Sequence, residues 1–97
     1  MSLSTHVLDA TTGTPAAGMT VVLRTGGTER DRITTDADGR GRLAGPGAGV
    51  HTLTFATAAW SSFYPEVTVA FTVTDPQRHH HVPLLLSPFA YSTYRGS

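Results

Sequence analysis

The stretch Glu66-Val67-Thr68-Val69-Ala70-Phe71-Thr72-Val73-Thr74 decides the fold class of this chain. Branched and aromatic apolar residues occupy every second position, and threonine or alanine stands between them. The residues that share the apolar face are Val67, Val69, Phe71 and Val73. A period of two residues is typical of a strand with one buried face, so we predict a strand over Glu66–Thr74.

Other stretches of the chain also favour strands. The further candidates are Leu3–Asp9, Met19–Thr25, Arg32–Thr35, Arg42–Ala44, Val50–Ala56, His80–Leu86 and Ala90–Arg95. Clusters of glycine, proline and aspartate separate them, and these residues favour turns. About eight short strands with such turns predict an all-β fold, an antiparallel β-sandwich. With 97 residues, we expect residues 1–97 to form a single domain.

Composition excludes several functional classes. Seven basic and seven acidic residues give a net charge of zero, so nothing favours nucleic acid or an anionic membrane as a partner. The chain has no cysteine, which excludes disulfide scaffolds, cysteine-based zinc sites and thiol catalysis. No apolar run of about 18 residues indicates a spanning helix, and residues 1–10 do not resemble a secretory signal. We therefore expect a cytoplasmic protein with no membrane partner.

The run His79-His80-His81 is a candidate for chemistry. On a strand, His79 and His81 point to one face and His80 to the other. Three interpretations fit this spacing: a solvated strand end, a catalytic base, or a metal site completed by a third histidine. The spacing alone favours the first.

Two other polar residues stand at informative positions. If Leu3 and Val7 face the core, His6 faces away from it, where a partner subunit could cover it. Arg40 follows the turn residues Asp36 and Asp38, and it is either an anion clamp or an ordinary solvated residue.

A second group of residues is interpreted as structural. His51 shares a face with apolar strand residues, and we predict that it lies at the rim of the core. The aromatic residues Trp60, Phe63 and Tyr64 lie in one loop, and they predict a core plug or part of an interface.

Segments along the whole chain carry a resemblance to a known family. They are Leu3–Asp9, Thr35–Arg40, His81–Pro88 and Tyr91–Ser97. With these segments the chain resembles the transthyretin-like family, and specifically its 5-hydroxyisourate hydrolase branch. The final Tyr-Arg-Gly-Ser is the most specific piece, because hormone-carrying transthyretins lack it.

The resemblance implies a fold, an assembly and a site. The fold would be a sandwich of two four-stranded sheets, and four chains would assemble as a dimer of dimers with active sites in the channel between dimers. The catalytic residues would be His6, Arg40 and His81. The substrate-binding residues would be Tyr94, Arg95, Gly96 and Ser97. The substrate would be 5-hydroxyisourate, and neither a metal nor a cofactor would be required.

These residue types suit the implied hydrolysis. A neutral imidazole is a good base for water near neutral pH. A neighbouring arginine would disfavour the charged imidazole and stabilise developing negative charge.

The chain departs from the family pattern in two loops. The Gly26–Glu29 turn replaces a longer hairpin, and the stretch between Phe55 and Phe63 has no room for the family's short helix. Three other functions compete with the hydrolase: a transthyretin-type carrier of small ligands, a structural module of surface proteins, and a histidine-dependent metal hydrolase.

Overall fold

The structure is a computed structural model that describes residues 2–96. These residues form ten strands and no helix, which confirms the all-β prediction. In chain order the strands are β1 (Ser2–Asp9), β2 (Thr14–Pro15), β3 (Thr20–Thr25), β4 (Thr28–Thr34), β5 (Arg40–Ala44), β6 (Gly49–Phe55), β7 (Val67–Val73), β8 (His80–His81), β9 (Leu84–Leu86) and β10 (Tyr91–Thr93). Most lie within two residues of their predicted bounds, but β4 begins at Thr28 rather than at Arg32.

The strands form two sheets, each four strand positions wide. One sheet has the order β4-β3-β6-β7, and all of its pairs are antiparallel. In the other sheet, β1 is central. Strands β5 and β2 follow one another along one edge of β1, and β8 and β9 follow one another along the other edge. Strand β10 pairs with β9, so this sheet contains six short strands at four positions, and β8 and β9 run parallel to β1. The predicted sandwich of two sheets is confirmed.

The predicted strand His80–Leu86 is interrupted. Pro83 has no amide hydrogen to donate to β1, and the stretch therefore divides into β8 and β9. The amide of Val82 still donates to the Ser4 carbonyl over 3.0 Å. A second difference concerns Thr14–Pro15, which lies outside the predicted strands but forms the two-residue strand β2.

The core lies between the two sheets. On β1 the residues Leu3, Thr5 and Val7 are buried, and the alternate residues are more exposed. Thr5 is the polar member of this face, and its hydroxyl donates to the Val82 carbonyl over 2.6 Å, so it carries no unsatisfied group into the core. Because Leu3, Thr5 and Val7 face the core, His6 lies on the outward face of β1, as the alternation predicted.

Strand β7 confirms the strand predicted from the alternation in Glu66–Thr74, and a cavity lies beside it. Its end residues Val67 and Val73 are buried, but Val69 and Phe71 are only half-buried. β7 is an edge strand, so the opposite sheet covers its middle incompletely. A cavity of about 290 Å³ lies beside it, lined on this side by Val69 and Phe71.

Two secondary predictions are resolved by the packing. His51 is 3% exposed rather than at the rim. Its Nδ1 is 2.7 Å from Thr25 Oγ1, and its Nε2 donates to the Gly47 carbonyl over 2.6 Å, which explains how a polar ring is accommodated there. In the aromatic loop, Trp60 and Tyr64 pack against the core, whereas Phe63 is exposed.

Candidate functional site

The site begins with a cross-strand pair. In the antiparallel register of β1 and β5, His6 lies directly opposite Arg40. Side chains that are directly opposite one another project to the same face, with their Cβ atoms about 5 Å apart. Within residues 2–96 the Arg40 guanidinium forms no ion pair; the salt bridge there joins Arg32 and Glu29. The Arg40 charge is thus available to an anionic ligand.

The turn before β5 fixes where Arg40 stands. The carboxylate of Asp36 accepts hydrogen bonds from the amides of Asp38 and Arg40, at 2.9 and 3.0 Å. Gly39 adopts a positive φ of 74°, and a Cβ there would overlap the Val7 carbonyl oxygen. The turn therefore needs both the aspartate and the glycine, which confirms the interpretation of Asp36 as a turn former.

His81 joins the same face from the other edge of β1. Strand β8 runs parallel to β1, with Leu3 opposite His80 and Ser4 opposite His81. Since Leu3 faces the core, His80 is buried, and His81 lies outward with Ser4 and His6. The predicted division of the two histidines between opposite faces is confirmed.

The environment of His81 favours its neutral form. Partial burial of the ring lowers its pKa below the usual 6.5, because a charged imidazolium loses solvation there. Electrostatic repulsion from His79, His6 and Arg40 lowers the pKa of His81 further, in that order. The sequence predicted an effect of the arginine alone, whereas burial of the ring is the larger cause. A neutral imidazole at pH 7 can accept a proton from water.

The C-terminal tail packs directly on this ring. The Gly96 amide donates to the His81 carbonyl over 2.9 Å, in an isolated antiparallel bridge. A Cβ on Gly96 would lie 3.0 Å from His81 Cγ and closer still to Cδ2. Only a glycine therefore allows the tail to lie against the imidazole in this position.

The remaining tail residues line the cavity. Tyr94 and Arg95 line it together with His81 and Thr93. Tyr94 is 58% exposed, so its ring is available to a ligand or to another chain. His6 and Arg40 do not line this cavity. Ser97 lies outside the described residues.

The structure thus brings His6, Arg40, His81 and Gly96 to one face of β1. Tyr94 and Arg95 line the cavity that His81 also lines. Ser4, whose hydroxyl is 2.7 Å from His81 Nδ1, was not predicted as a site residue. Its position two residues before His6 was the available signal. Across residues 2–96, no group of three or more histidine, cysteine, aspartate or glutamate side chains is arranged to hold a metal ion. In the same part of the chain no helix is long and apolar enough to cross a membrane.

The chain is similar to known proteins in both sequence and fold. The model of the HIUase/Transthyretin family matches residues 3–96. A 5-hydroxyisourate hydrolase of Salmonella dublin is 40% identical over an alignment 109 residues long, which covers 98% of this chain and 80% of the relative. The solved structure of Klebsiella pneumoniae 5-hydroxyisourate hydrolase has a TM-score of 0.89 at 39% identity, with 100% of both chains covered. Sea bream transthyretin in complex with thyroxine has a TM-score of 0.85 at 32% identity, with 97% of this chain and 93% of that chain covered.

Proposed function

The chain belongs to the HIUase/transthyretin family, and we propose that it is a hydrolase that converts 5-hydroxyisourate to 2-oxo-4-hydroxy-4-carboxy-5-ureidoimidazoline. One observation carries this proposal. The imidazoles of His6 and His81 share one face of β1 with the guanidinium of Arg40, which forms no ion pair within residues 2–96. Gly96 of the C-terminal tail lies against the His81 ring. The similarity to hydrolases of Salmonella and Klebsiella supports the same conclusion.

The proposed reaction is water attack on a ring carbonyl carbon. A histidine accepts a proton as the water oxygen bonds to that carbon; the ring C–N bond then breaks, and its nitrogen takes up a proton. We assign the base to the pair His6 and His81, of which His81 has the lowered pKa. Arg40 binds the anionic substrate and stabilises the oxyanion as it forms. Tyr94, Arg95, Gly96 and Ser97 are proposed to bind the substrate.

We further propose that four chains assemble as a dimer of dimers, with the site in the channel between dimers. A surface of exposed aromatic rings supports self-association. Phe63 and Phe89 are 61% and 72% exposed, and their ring centroids are 6.0 Å apart. Tyr91 is 42% exposed and packs edge-on against Tyr64. Sedimentation at micromolar concentration should give the mass of four chains, and a stable, active monomer would contradict the assembly.

Two broader expectations complete the proposal. Residues 1–97 act as one domain, which the family match over residues 3–96 supports. The protein works in the cytoplasm, in keeping with the absence of cysteine from its sequence.

The test is an absorbance assay of 5-hydroxyisourate freshly generated from urate. Decay faster than the spontaneous rate is expected, and it should persist after treatment with a chelator and dialysis. His6→Asn should slow it by about 10²–10⁴, because that is what a general base contributes. Decay at the spontaneous rate would refute the hydrolase and favour a transthyretin-type carrier. Loss of activity on chelation, with recovery on addition of zinc, would favour a metal hydrolase.

A further inference from the structure

Four side chains beside the proposed site form one continuous hydrogen-bonded chain. Ser4 Oγ is 2.7 Å from His81 Nδ1 and 2.8 Å from His79 Nε2. The other ring nitrogen of His79, Nδ1, bonds to Ser2 Oγ. The chain therefore runs from the half-buried His81 to the exposed His79 and ends at Ser2.

The chemistry of the hydroxyl couples the two imidazoles. Ser4 has one hydrogen, so it donates to one ring nitrogen and accepts from the other. If it donates to His79 Nε2, then His81 carries its hydrogen on Nδ1 and its Nε2 is bare. If it donates to His81 Nδ1, then His81 carries its hydrogen on Nε2 and His79 donates from Nε2. The tautomer of His81 is thus tied to that of His79.

We propose that Ser4 and His79 are positioning residues that set the tautomer of His81 and conduct its proton to solvent. This inference rests on the proposed hydrolysis. When His81 Nε2 takes a proton from the attacking water, the hydrogen on Nδ1 passes to Ser4. The Ser4 hydrogen passes to His79 Nε2, and the hydrogen on His79 Nδ1 leaves through Ser2 to water. One proton enters this hydrogen-bonded series at His81 and one leaves it at Ser2, so His81 stays uncharged.

The charges around His81 make such a path useful. His79, His6 and Arg40 act on it electrostatically. Arg42 lies opposite Ser4 in the sheet, and Arg95 lines the same cavity as His81. All of these groups are neutral or cationic, so an imidazolium at His81 has no counter-ion among them. His81 therefore benefits from releasing the proton through neutral hydroxyl and imidazole groups.

The test compares Ser4→Ala, Ser4→Thr and His79→Ala in the 5-hydroxyisourate assay. Ser4→Ala should lower kcat by about tenfold or more, a part of the ~10²–10⁴ that general acid–base catalysis contributes. KM should stay within about twofold, since Ser4 acts through His81. Ser4→Thr keeps the hydroxyl and should restore most of kcat. His79→Ala should lose activity in dilute buffer and regain it as imidazole is added, because the free base replaces the missing proton acceptor.

A matched control lies on the other sheet, where Thr25 Oγ1 is 2.7 Å from His51 Nδ1. Thr25→Val removes the same type of bond away from the proposed site and should leave kcat near the wild-type value. Wild-type kcat in Ser4→Ala, or a loss in Ser4→Thr as large as in Ser4→Ala, would overturn the proposal. So would a His79→Ala variant that imidazole does not rescue.

A spectroscopic readout separates this inference from the proposed function. The ¹⁵N chemical shifts of the His81 ring report its tautomer, and a His81→Asn sample assigns them. They should change in Ser4→Ala and remain unchanged in Ser4→Thr and Thr25→Val. If the wild-type protein does not accelerate hydrolysis, the proposed function fails, but these shifts still test the hydrogen-bonded series from His81 to Ser2. His81 shifts that are the same in Ser4→Ala as in the wild type would refute the coupling.

Discussion

Replacing Gly96 with alanine should remove most of the turnover and leave the sandwich folded. The added Cβ would lie 3.0 Å from His81 Cγ and 3.1 Å from Cβ of the same residue, with Cδ2 nearer still. Real Cβ atoms do not approach so closely, so the tail or the imidazole must move by roughly 1 Å. A displacement of that size in a reacting group can reduce a rate by about 10²-fold.

The cost in stability should be small, because the tail contributes one bridge. Breaking the hydrogen bond from the Gly96 amide to the His81 carbonyl removes about 0.5–1.5 kcal/mol. For a domain of this size, 1 kcal/mol corresponds to a change of about 4–8 °C in Tm. Gly96 has no positive φ, so Gly96→Ala introduces no backbone strain that would confuse the result.

The assay is kcat/KM for freshly generated 5-hydroxyisourate, alongside Tm from circular dichroism. Gly47→Ala is the matched control, because Gly47 has no heavy atom within 4 Å of an added Cβ and no positive φ. It should keep wild-type kcat/KM. Gly96→Ala with wild-type kcat/KM in a folded protein would refute the argument that the tail must lie against His81.

The remaining predictions concern the histidines, the arginine and the tail. His81→Asn should lower kcat by about 10²–10⁴. His80→Asn should mainly lower Tm, since His80 is buried and its Nδ1 bonds to the Arg78 carbonyl. Equal losses of kcat in the two variants would contradict the strand register. Arg40→Lys keeps the charge but not the planar fork, so its kcat/KM should fall well below wild type. Deleting 94–97 should leave a cooperative thermal transition and little turnover, and full activity would show that the tail is dispensable. The acid limb of kcat/KM should lie below pH 6.5, because burial lowers the pKa of His81 and the neutral base survives to lower pH; an NMR titration of His81 that gives a pKa above 6.5 would contradict it.

The same pKa shift predicts how His81 affects stability. The folded protein holds the pKa of this ring below 6.5, so near that pH the unfolded chain binds more protons than the folded one. Above pH 6.5 both states are neutral at this position and no destabilisation results. As the pH falls through 6.5 toward the lower folded-state pKa, this residue destabilises the fold progressively.

The sequence alone determined the features that depend on neighbours along the chain. The alternation in Glu66–Thr74 predicted β7, and the turn chemistry of Asp36–Gly39 predicted the bend before Arg40. Adjacent residues on a strand must point to opposite faces, so the separation of His80 from His81 was also readable. The resemblance, and not the periodicity, supplied the grouping of His6, Arg40 and His81.

Tertiary structure alone decided which residues meet. Periodicity states which face a side chain occupies, but not which strand lies beside it or in what register. The pairing of β1 with β5 on one edge and β8 on the other sets His6 opposite Arg40 and Ser4 opposite His81. The contact of Gly96 with His81 and the bonds of Ser4 to two imidazoles depend on this register. Such contacts join residues far apart in the chain. They form only when the two sheets pack their apolar faces together, because that burial determines which strands pair and in which register.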